Sequence, residues 1–365
     1  MSMRRLLLGA SLCLLLTSCS NIAYYAQAIE GQVRLMVAAR PIADVVSDAA
    51  TDPGLRQKLE QASALRNFAS RELALPDNGS YRAYADLGRP YVVWNVFAAA
   101  ELSVEPRQWC LVFIGCINYR GYYDKNDAER YADQLKQTGA DTYVGGVPAY
   151  STLGYFDDPV LNTFLRLGDN EIARIIFHEL AHQLIYAQGD SAFNESFAAT
   201  VETEGMRRWL MHSGTPAQRR DFETQQERKA EFHRLIADTR DRLRTLYGSS
   251  QAPNEKRLGK AETFAEMRRA YADLKLKWAG YGGYDPWFSQ PLNNAVLGSV
   301  TLYTQWVPAF QSMLEQEGGN LPCFYQRVAL LSHLPKTARA AALDELLAKP
   351  IIPSLQNHFL RPPFL

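Results

Sequence analysis

The chain has 365 residues, of which 47% are hydrophobic and 11% aromatic, and it carries 39 basic and 39 acidic side chains. This composition is typical of a globular protein with a full hydrophobic core, and it excludes a disordered chain, collagen and an extended coiled coil. Because the formal net charge is zero, the sequence lacks the excess of basic side chains that binding to nucleic-acid phosphates requires. No nucleic-acid partner is expected.

The first eighteen residues are typical of a bacterial lipoprotein signal peptide. Arg4 and Arg5 precede an apolar run that is too short to span a membrane as a helix, and this run ends in Leu16-Thr17-Ser18-Cys19. These four residues resemble a lipobox, which predicts cleavage before Cys19 and lipidation of its sulfur. We expect a mature chain anchored by this lipid in a Gram-negative cell envelope. Ser20, where an aspartate would indicate inner-membrane retention, favours the outer membrane and a position facing the periplasm.

Residues 19–80 are predicted to form an N-terminal helical segment, divided by Pro41 and by the turn signal Asp52-Pro53-Gly54. From residue 81 the chain changes to β-branched and aromatic runs typical of strands, interrupted by one helix predicted over Asp124–Thr138. We expect residues 81–214 to form the core of the protein, with a sheet and the helices that follow it.

Two cysteines, Cys110 and Cys116, lie close together in this region. In an oxidising periplasm they are expected to form a disulfide that closes a short loop. The alternative is a pair of buried thiols in an apolar strand.

A strand pattern over Asp141–Tyr150 contains Gly145, Gly146 and Val147, followed by a proline. Glycine and proline at these positions do not suit a central strand that is hydrogen-bonded on both sides, so an edge strand is predicted. The alternative is a glycine-proline turn with only a structural role.

A His-Glu-x-x-His motif follows in a segment predicted to be helical, Asn170–Ala187. Residues four apart lie on one face of a helix, so His178 and His182 can bind the same zinc ion. Glu179 is too far round the helix to be a third ligand, but it is well placed to act as general base on a metal-activated water. The alternative is that both histidines are ordinary residues of an amphipathic helix.

A zinc enzyme needs a third protein ligand, and a second predicted helix supplies one. In an antiparallel helical hairpin, Glu195 would lie at the height of His182 and is the preferred ligand. Asp190, Glu202 and Glu204 are the alternatives. Glu202 could instead hold a histidine ring by accepting its second N–H.

The histidine motif followed by Asn194-Glu195 resembles the gluzincins, zinc metallopeptidases whose third ligand is a glutamate. The mature chain is also similar to a bacterial family of predicted zinc aminopeptidases. That similarity lies in the metal motif and in three further segments: Tyr119-Arg120-Gly121-Tyr122, the segment from Gly145 to Gly154, and the segment from Asn194 to Ala198. The resemblance implies an α+β, zincin-like fold in which a mixed sheet accompanies the active-site helix, with mainly helical additions.

The resemblance also implies roles for residues outside the metal motif. In zincins an edge strand before the metal helix binds the substrate backbone, and Gly145, Gly146 and Val147 occupy this position in the chain. A donor to the developing oxyanion is expected as well, and Tyr284 is the first candidate, with Tyr281 and Tyr303 as alternatives. The Gly-x-Met-Glu-Asn segment that binds a substrate amino group in the large aminopeptidases does not occur in the sequence. Exopeptidase and endopeptidase cleavage therefore both remain open.

The rest of the chain is predicted to be helical. Residues 215–279 are expected to form a charged helical hairpin, with helices over Pro216–Tyr247 and Asn254–Trp278. Residues 280–365 are expected to complete the active-site cleft with loops and a helix near Ala295–Phe310.

The sequence therefore predicts a membrane-anchored periplasmic metallopeptidase that uses one Zn²⁺ ion and acts on a peptide or protein substrate. The main alternative is a non-catalytic zinc-containing lipoprotein that binds a cell-envelope partner. A zinc hydrolase of another amide or ester is a third reading. Glu179 distinguishes catalysis from binding, because a structural zinc site has four protein ligands and needs no general base.

Overall fold

The computed structural model describes residues 24–111, 115–301 and 305–348. The predicted signal peptide, the lipidation site at Cys19 and the candidate Tyr303 lie outside these residues. Within them, no helix combines the length and the apolar character that crossing a membrane requires.

The described chain is a mixed α+β protein in which helices predominate. The helices are α1 (24–38), α2 (Ile42–Ser47), α3 (Pro53–Glu72), α4 (Lys125–Gln137), α5 (Asn162–Leu165), α6 (Asp169–Leu184), α7 (Ser191–Ser213), α8 (Pro216–Gly248), α9 (Pro253–Lys277), α10 (Asp285–Ser289), α11 (Asn294–Thr301), α12 (Val307–Gln316), α13 (Leu321–Ser332) and α14 (Lys336–Ala348). The strands are β1 (Arg40–Pro41), β2 (Ala83–Ala85), β3 (Val93–Ala100), β4 (Trp109–Leu111), β5 (Gly115–Ile117), β6 (Arg120–Tyr122), β7 (Ala140–Val147) and β8 (Val160–Leu161).

The described strands form three small sheets rather than the one mixed sheet expected from the sequence. β1, β2 and β8 form a mixed sheet, β6, β3 and β7 an antiparallel one in that order, and β4 and β5 a two-stranded sheet. Only β3 and β7 are eight residues long, and the other strands have two or three. Strands of two or three residues are too short to join the three sheets into one continuous hydrogen-bonded sheet. In the sheet of β4 and β5, a disulfide joins Cys110 to its cross-strand neighbour Cys116.

The sheet of β6, β3 and β7 has two different faces. Trp94 and Val96 lie on one face and pack against α4. Because side chains alternate along a strand, Phe97 lies on the other face, where its ring contacts Tyr119 and Tyr143. One face of the sheet is therefore covered by α4, and the opposite face carries Tyr119.

The main hydrophobic core is built around α6 and α7. Gly205 of α7 allows close packing, because a Cβ at this position would lie 2.8 Å from atoms of Leu73 and Phe177. The largest fully buried apolar side chains of this core come from α3, α5, α6, α7, α12 and α13 and from the segment between α3 and β2: Leu59, Leu65, Leu73, Tyr81, Phe164, Ile172, Phe177, Phe193, Phe197, Phe310 and Phe324.

The charged hairpin of α8 and α9 is present and has a core of its own. α8 begins with a capping box in which the Thr215 hydroxyl and the Gln218 side chain each accept the other residue's backbone N–H. Phe232, Ile236 and Leu243 of α8 pack with residues of α9, α10 and α11. This second cluster holds the segment from Tyr281 to Phe288 against α8.

The single helix expected near Ala295–Phe310 is wrong, since Gln305 and Trp306 form a turn and α12 begins only at Val307. Pro308 occupies the first turn of α12. Proline lacks a backbone N–H and fits this position, where intrahelical donors have no partner, better than a helix interior.

Candidate metal centre

The turn between α6 and α7 determines the height of Glu195 relative to the two histidines. Gly189 adopts a φ of 77°, and the Asp190 side chain caps α7 by accepting the backbone N–H of Phe193. Asn194 closes the turn with two hydrogen bonds to the backbone of Ala187, at 2.7 and 2.9 Å. The helix that carries Glu195 is thereby tied to the end of the helix that carries His178 and His182.

The side chains of His178, His182 and Glu195 converge on one point. The Nε2 atoms of the two histidines are 3.2 Å apart, and Glu195 Oε2 lies 3.2 Å from His178 Nε2 and 3.6 Å from His182 Nε2. Ligand atoms bound to one tetrahedral zinc ion at ~2.0–2.1 Å lie about 3.3 Å from each other. The three side chains therefore fit a zinc ion in donor type and in spacing.

A charged chain orients His178 from behind. Its Nδ1 lies 3.0 Å from Glu202 Oε2, and the other oxygen of Glu202 accepts a 2.6 Å hydrogen bond from Arg174. Lys229 Nζ lies 3.8 Å from the same Glu202 oxygen. Glu202 therefore holds the imidazole so that Nε2 points toward His182 and Glu195, which is the usual outer-shell arrangement of a metal-bound histidine.

The other alternative ligands have different partners. Asp190 binds Arg339 at 2.6 Å, and Glu204 binds Arg207 and Arg208. Among the described residues, the metal-ligand geometry is met by His178, His182 and Glu195.

The charged side chains of the centre strongly influence one another's pKa values. Burial opposes the charge of His178, but hydrogen bonds to Glu195 and Glu202 raise its pKa to about 10. Burial also opposes the charge of Glu195, yet the adjacent histidines lower its pKa to about 2. Burial raises the pKa of Glu179, and the two histidines offset part of that shift. The hydrogen bonds that raise the pKa of His178 also lower that of Glu195, so protons and a metal ion would compete for the same side-chain atoms.

The charges of carboxylates in the centre act on three tyrosines. Burial, followed by the charge of Glu195, raises the pKa of Tyr119 well above its usual value and that of Tyr186 to about 12. Burial and the charge of Glu179 raise the pKa of Tyr81, whose buried hydroxyl has no hydrogen-bond partner among the described residues. Sequence reasoning assigned no role to these tyrosines, although Tyr119 belongs to one of the segments shared with the predicted aminopeptidases.

Tyr284 lies on another side of the centre. Its ring stacks on Phe232 of α8, with ring centroids 4.1 Å apart. The cations whose charges act on its hydroxyl are Arg174, which lies one helical turn before His178 on α6, and Arg228 of α8. Its predicted role toward an oxyanion stays a prediction.

The predicted substrate strand is β7, which lies at the edge of its sheet and pairs with β3. Gly146 is packed under the ring of Tyr91, which would lie 2.3 Å from a Cβ at this position. Gly145 lies opposite Asn95 on the sheet face that carries Tyr119, whereas the Val147 carbonyl accepts a hydrogen bond from Val92. The packing of Tyr91 explains the glycine at 146, and substrate binding by this strand stays a prediction.

A buried polar network contacts α6 at Gln183, the residue that follows His182. Gln183 donates to Ser80 and Asp158, and its carbonyl accepts from Asn78. Burial raises the pKa of Asp158 to about 6, although the backbone N–H of Thr152 donates to it.

Replacing Asp158 with asparagine should remove part of the pH dependence of stability. The unfolded carboxyl loses its proton near pH ~3.9, whereas the folded one loses it near 6, so the folded state binds more protons in this window. The free energy of unfolding therefore falls by about 2–3 kcal/mol as pH rises through the window, and Asp158→Asn should abolish that decrease. Denaturant unfolding at pH 4 and pH 6.5 measures this change in the free energy of unfolding. Asp157→Asn, at an exposed position, is the control. An unchanged pH dependence in Asp158→Asn would contradict the analysis.

Metal binding should depend most on Glu195. We expect about one zinc ion per chain in a chelator-free preparation, and loss of the ion on dialysis of Glu195→Ala. Glu202→Ala should bind zinc about 10–100-fold more weakly, because His178 loses its orienting partner. Glu204→Ala, which removes a nearby carboxylate paired only with arginines, is the control. Elemental analysis and competition with a chromogenic chelator measure these affinities, and equal retention in all three variants would refute the ligand set.

Comparison with known proteins gives one match. A family model described as "Putative aminopeptidase" matches residues 23–343. No curated protein and no solved structure matches the chain. Since the family model spans most of the sequence and includes every residue of the candidate centre, the chain belongs to this family of aminopeptidase-like proteins.

Proposed function

We propose that the protein is a zinc metallopeptidase that hydrolyses peptide bonds, with His178, His182 and Glu195 as metal ligands. The proposal rests above all on the convergence of these three side chains at ligand spacing, with Glu179 on the same helix as the histidines. The family assignment supports peptidase activity. The described residues supply three ligands, which fits a catalytic site better than a structural site closed by four.

Zinc, when bound, supplies a Lewis acid that polarises the scissile carbonyl and acidifies water. Glu179 accepts a proton from the attacking water while the water oxygen bonds to the carbonyl carbon. The carbon–nitrogen bond then breaks, and Glu179 passes the proton to the leaving amine. Burial raises the pKa of Glu179, which brings it closer to neutral pH and suits a group that must both accept and donate a proton.

Tyr119 is better placed than Tyr284 to stabilise the oxyanion. After burial, the charges of Glu195 and Glu179 are among the causes that raise the pKa of the Tyr119 hydroxyl, whereas neither carboxylate is among the causes for Tyr284. It also stands on the sheet face that holds Asn95 and Gly145, over which an extended substrate could pass.

We propose the periplasm as the compartment, with the chain anchored through a lipid on Cys19. The disulfide between Cys110 and Cys116 supports an oxidising environment. The lipobox in the sequence supports the anchor.

Replacing Glu179 with glutamine should lower kcat by at least about 10²-fold while the zinc content stays at that of the parent protein. Glutamine has the same shape but cannot accept the proton. Cleavage of a fluorescent peptide library and elemental analysis of the same sample measure the two quantities. Cleavage at the parental rate by zinc-loaded Glu179→Gln would refute the mechanism.

Replacing Tyr119 with phenylalanine should lower kcat by about 10²-fold with little change in KM, because an oxyanion donor acts in the transition state. Tyr284→Phe is the matched comparison, since it removes the hydroxyl assigned to the same role by sequence. Steady-state kinetics on one cleaved peptide distinguishes the two. A larger loss of kcat in Tyr284→Phe would return the role to Tyr284.

A further inference from the structure

A separate cavity of about 150 Å³ opens one helical turn from His178, between α6, α8 and the segment from Tyr281 to Tyr284. Arg174 and Glu171 line it from α6, and Arg228 and Lys229 line it from α8. The rings of Tyr281 and Tyr284 form a further wall. The mechanism proposed above uses none of these side chains to contact substrate.

The cavity has an excess of positive charge. Arg174 is already paired, at 2.7 Å with Glu171 and at 2.6 Å with Glu202. Arg228 pairs with no carboxylate among the described residues, and its guanidinium lies 4.2 Å from the centroid of the Tyr281 ring.

Lys229 is also incompletely paired. Its nearest carboxylate oxygen, on Glu202, lies at 3.8 Å, beyond hydrogen-bond distance. Burial lowers the pKa of Lys229, and the charge of Glu202 offsets only part of this shift. Counting both Glu171 and Glu202 against the three cations still leaves one positive charge, which a bound anion would neutralise.

The position of the cavity defines what part of a substrate could reach it. Arg174 precedes His178 by four residues on the same helix face, which corresponds to about 6 Å along the axis. An extended peptide advances about 3.3 Å per residue. A group bound in the cavity would therefore lie about two residues from the scissile bond.

We infer that this cavity binds a carboxylate of the peptide substrate, so that the enzyme prefers peptides with an acidic side chain or a free C-terminus close to the cleaved bond. The inference rests on the proposed function. Arg228 and Lys229 would donate charge-assisted hydrogen bonds to the carboxylate, and the tyrosine rings would cover the carbon chain next to it.

Matched peptides test the preference. Hexapeptides in which glutamate replaces its isostere glutamine at each position in turn give one arm, and peptides with a free or amidated C-terminus give the other. We expect kcat/KM to favour the carboxylate by about tenfold or more at one position or at the C-terminus, which identifies the source of the group. In Arg228→Gln and Lys229→Met the ratio should fall toward one, and in Lys229→Arg it should persist. Arg220→Gln, an exposed residue of the same helix, should keep the parental ratio.

Binding measurements separate this inference from the proposed function. In zinc-loaded Glu179→Gln, calorimetry should show tighter binding of the carboxylate peptide than of its neutral partner, and Lys229→Met in that background should remove the difference. If the parent protein cleaves peptides but neither rate nor binding distinguishes the pairs, the carboxylate site is refuted alone. If binding distinguishes the pairs but zinc-loaded protein hydrolyses none of the peptides, the peptidase function is refuted and the carboxylate site stands. A preference that persists in Arg228→Gln and Lys229→Met also overturns the assignment.

Discussion

The antiparallel packing of α6 against α7 places every ligand of the candidate centre. His178 and His182 share one face of α6, and Glu195 must approach that face from α7 at the correct height. Asn194 secures this height through its two hydrogen bonds to Ala187, and Gly205 permits the close approach of the helices farther along. The turn and the small residues therefore fix the relative position of the two helices, which the ligands do not determine by themselves.

The same packing gathers several acidic side chains in a largely buried space. Glu179, Glu195 and Glu202 lie close to two histidines, and only Glu202 has permanent cationic partners, in Arg174 and Lys229. Uncompensated charges in such a space are costly, and although burial opposes the charge of His178, hydrogen bonds to Glu195 and Glu202 raise its pKa. A divalent cation would compensate the carboxylates in a more permanent way.

The small antiparallel sheet and the α8–α9 hairpin supply the two sides of the space around the centre. Tyr119, which immediately precedes β6, shares a sheet face with Asn95 and Gly145, and the charges of Glu195 and Glu179 act on its hydroxyl. On the other side, α8 brings Lys229 to within 3.8 Å of Glu202 and places Arg228 beside the aromatic segment after α9. A substrate bound at the metal would therefore meet neutral and small groups on one side and cationic groups on the other.

The sequence by itself determined the local features of this protein. Helical spacing placed His178 and His182 on one face, Asp52-Pro53-Gly54 marked a turn, and the predicted helical hairpin brought Glu195 to the height of His182. These inferences depend on helix geometry and on residues close in the chain. Tertiary structure decided the rest, because it joins segments far apart. Tyr119 reaches Glu195 across 76 residues and Lys229 approaches Glu202 from the next helix. The division of the strands into three sheets and the break between α11 and α12 likewise depend on packing partners that local sequence periodicity does not record.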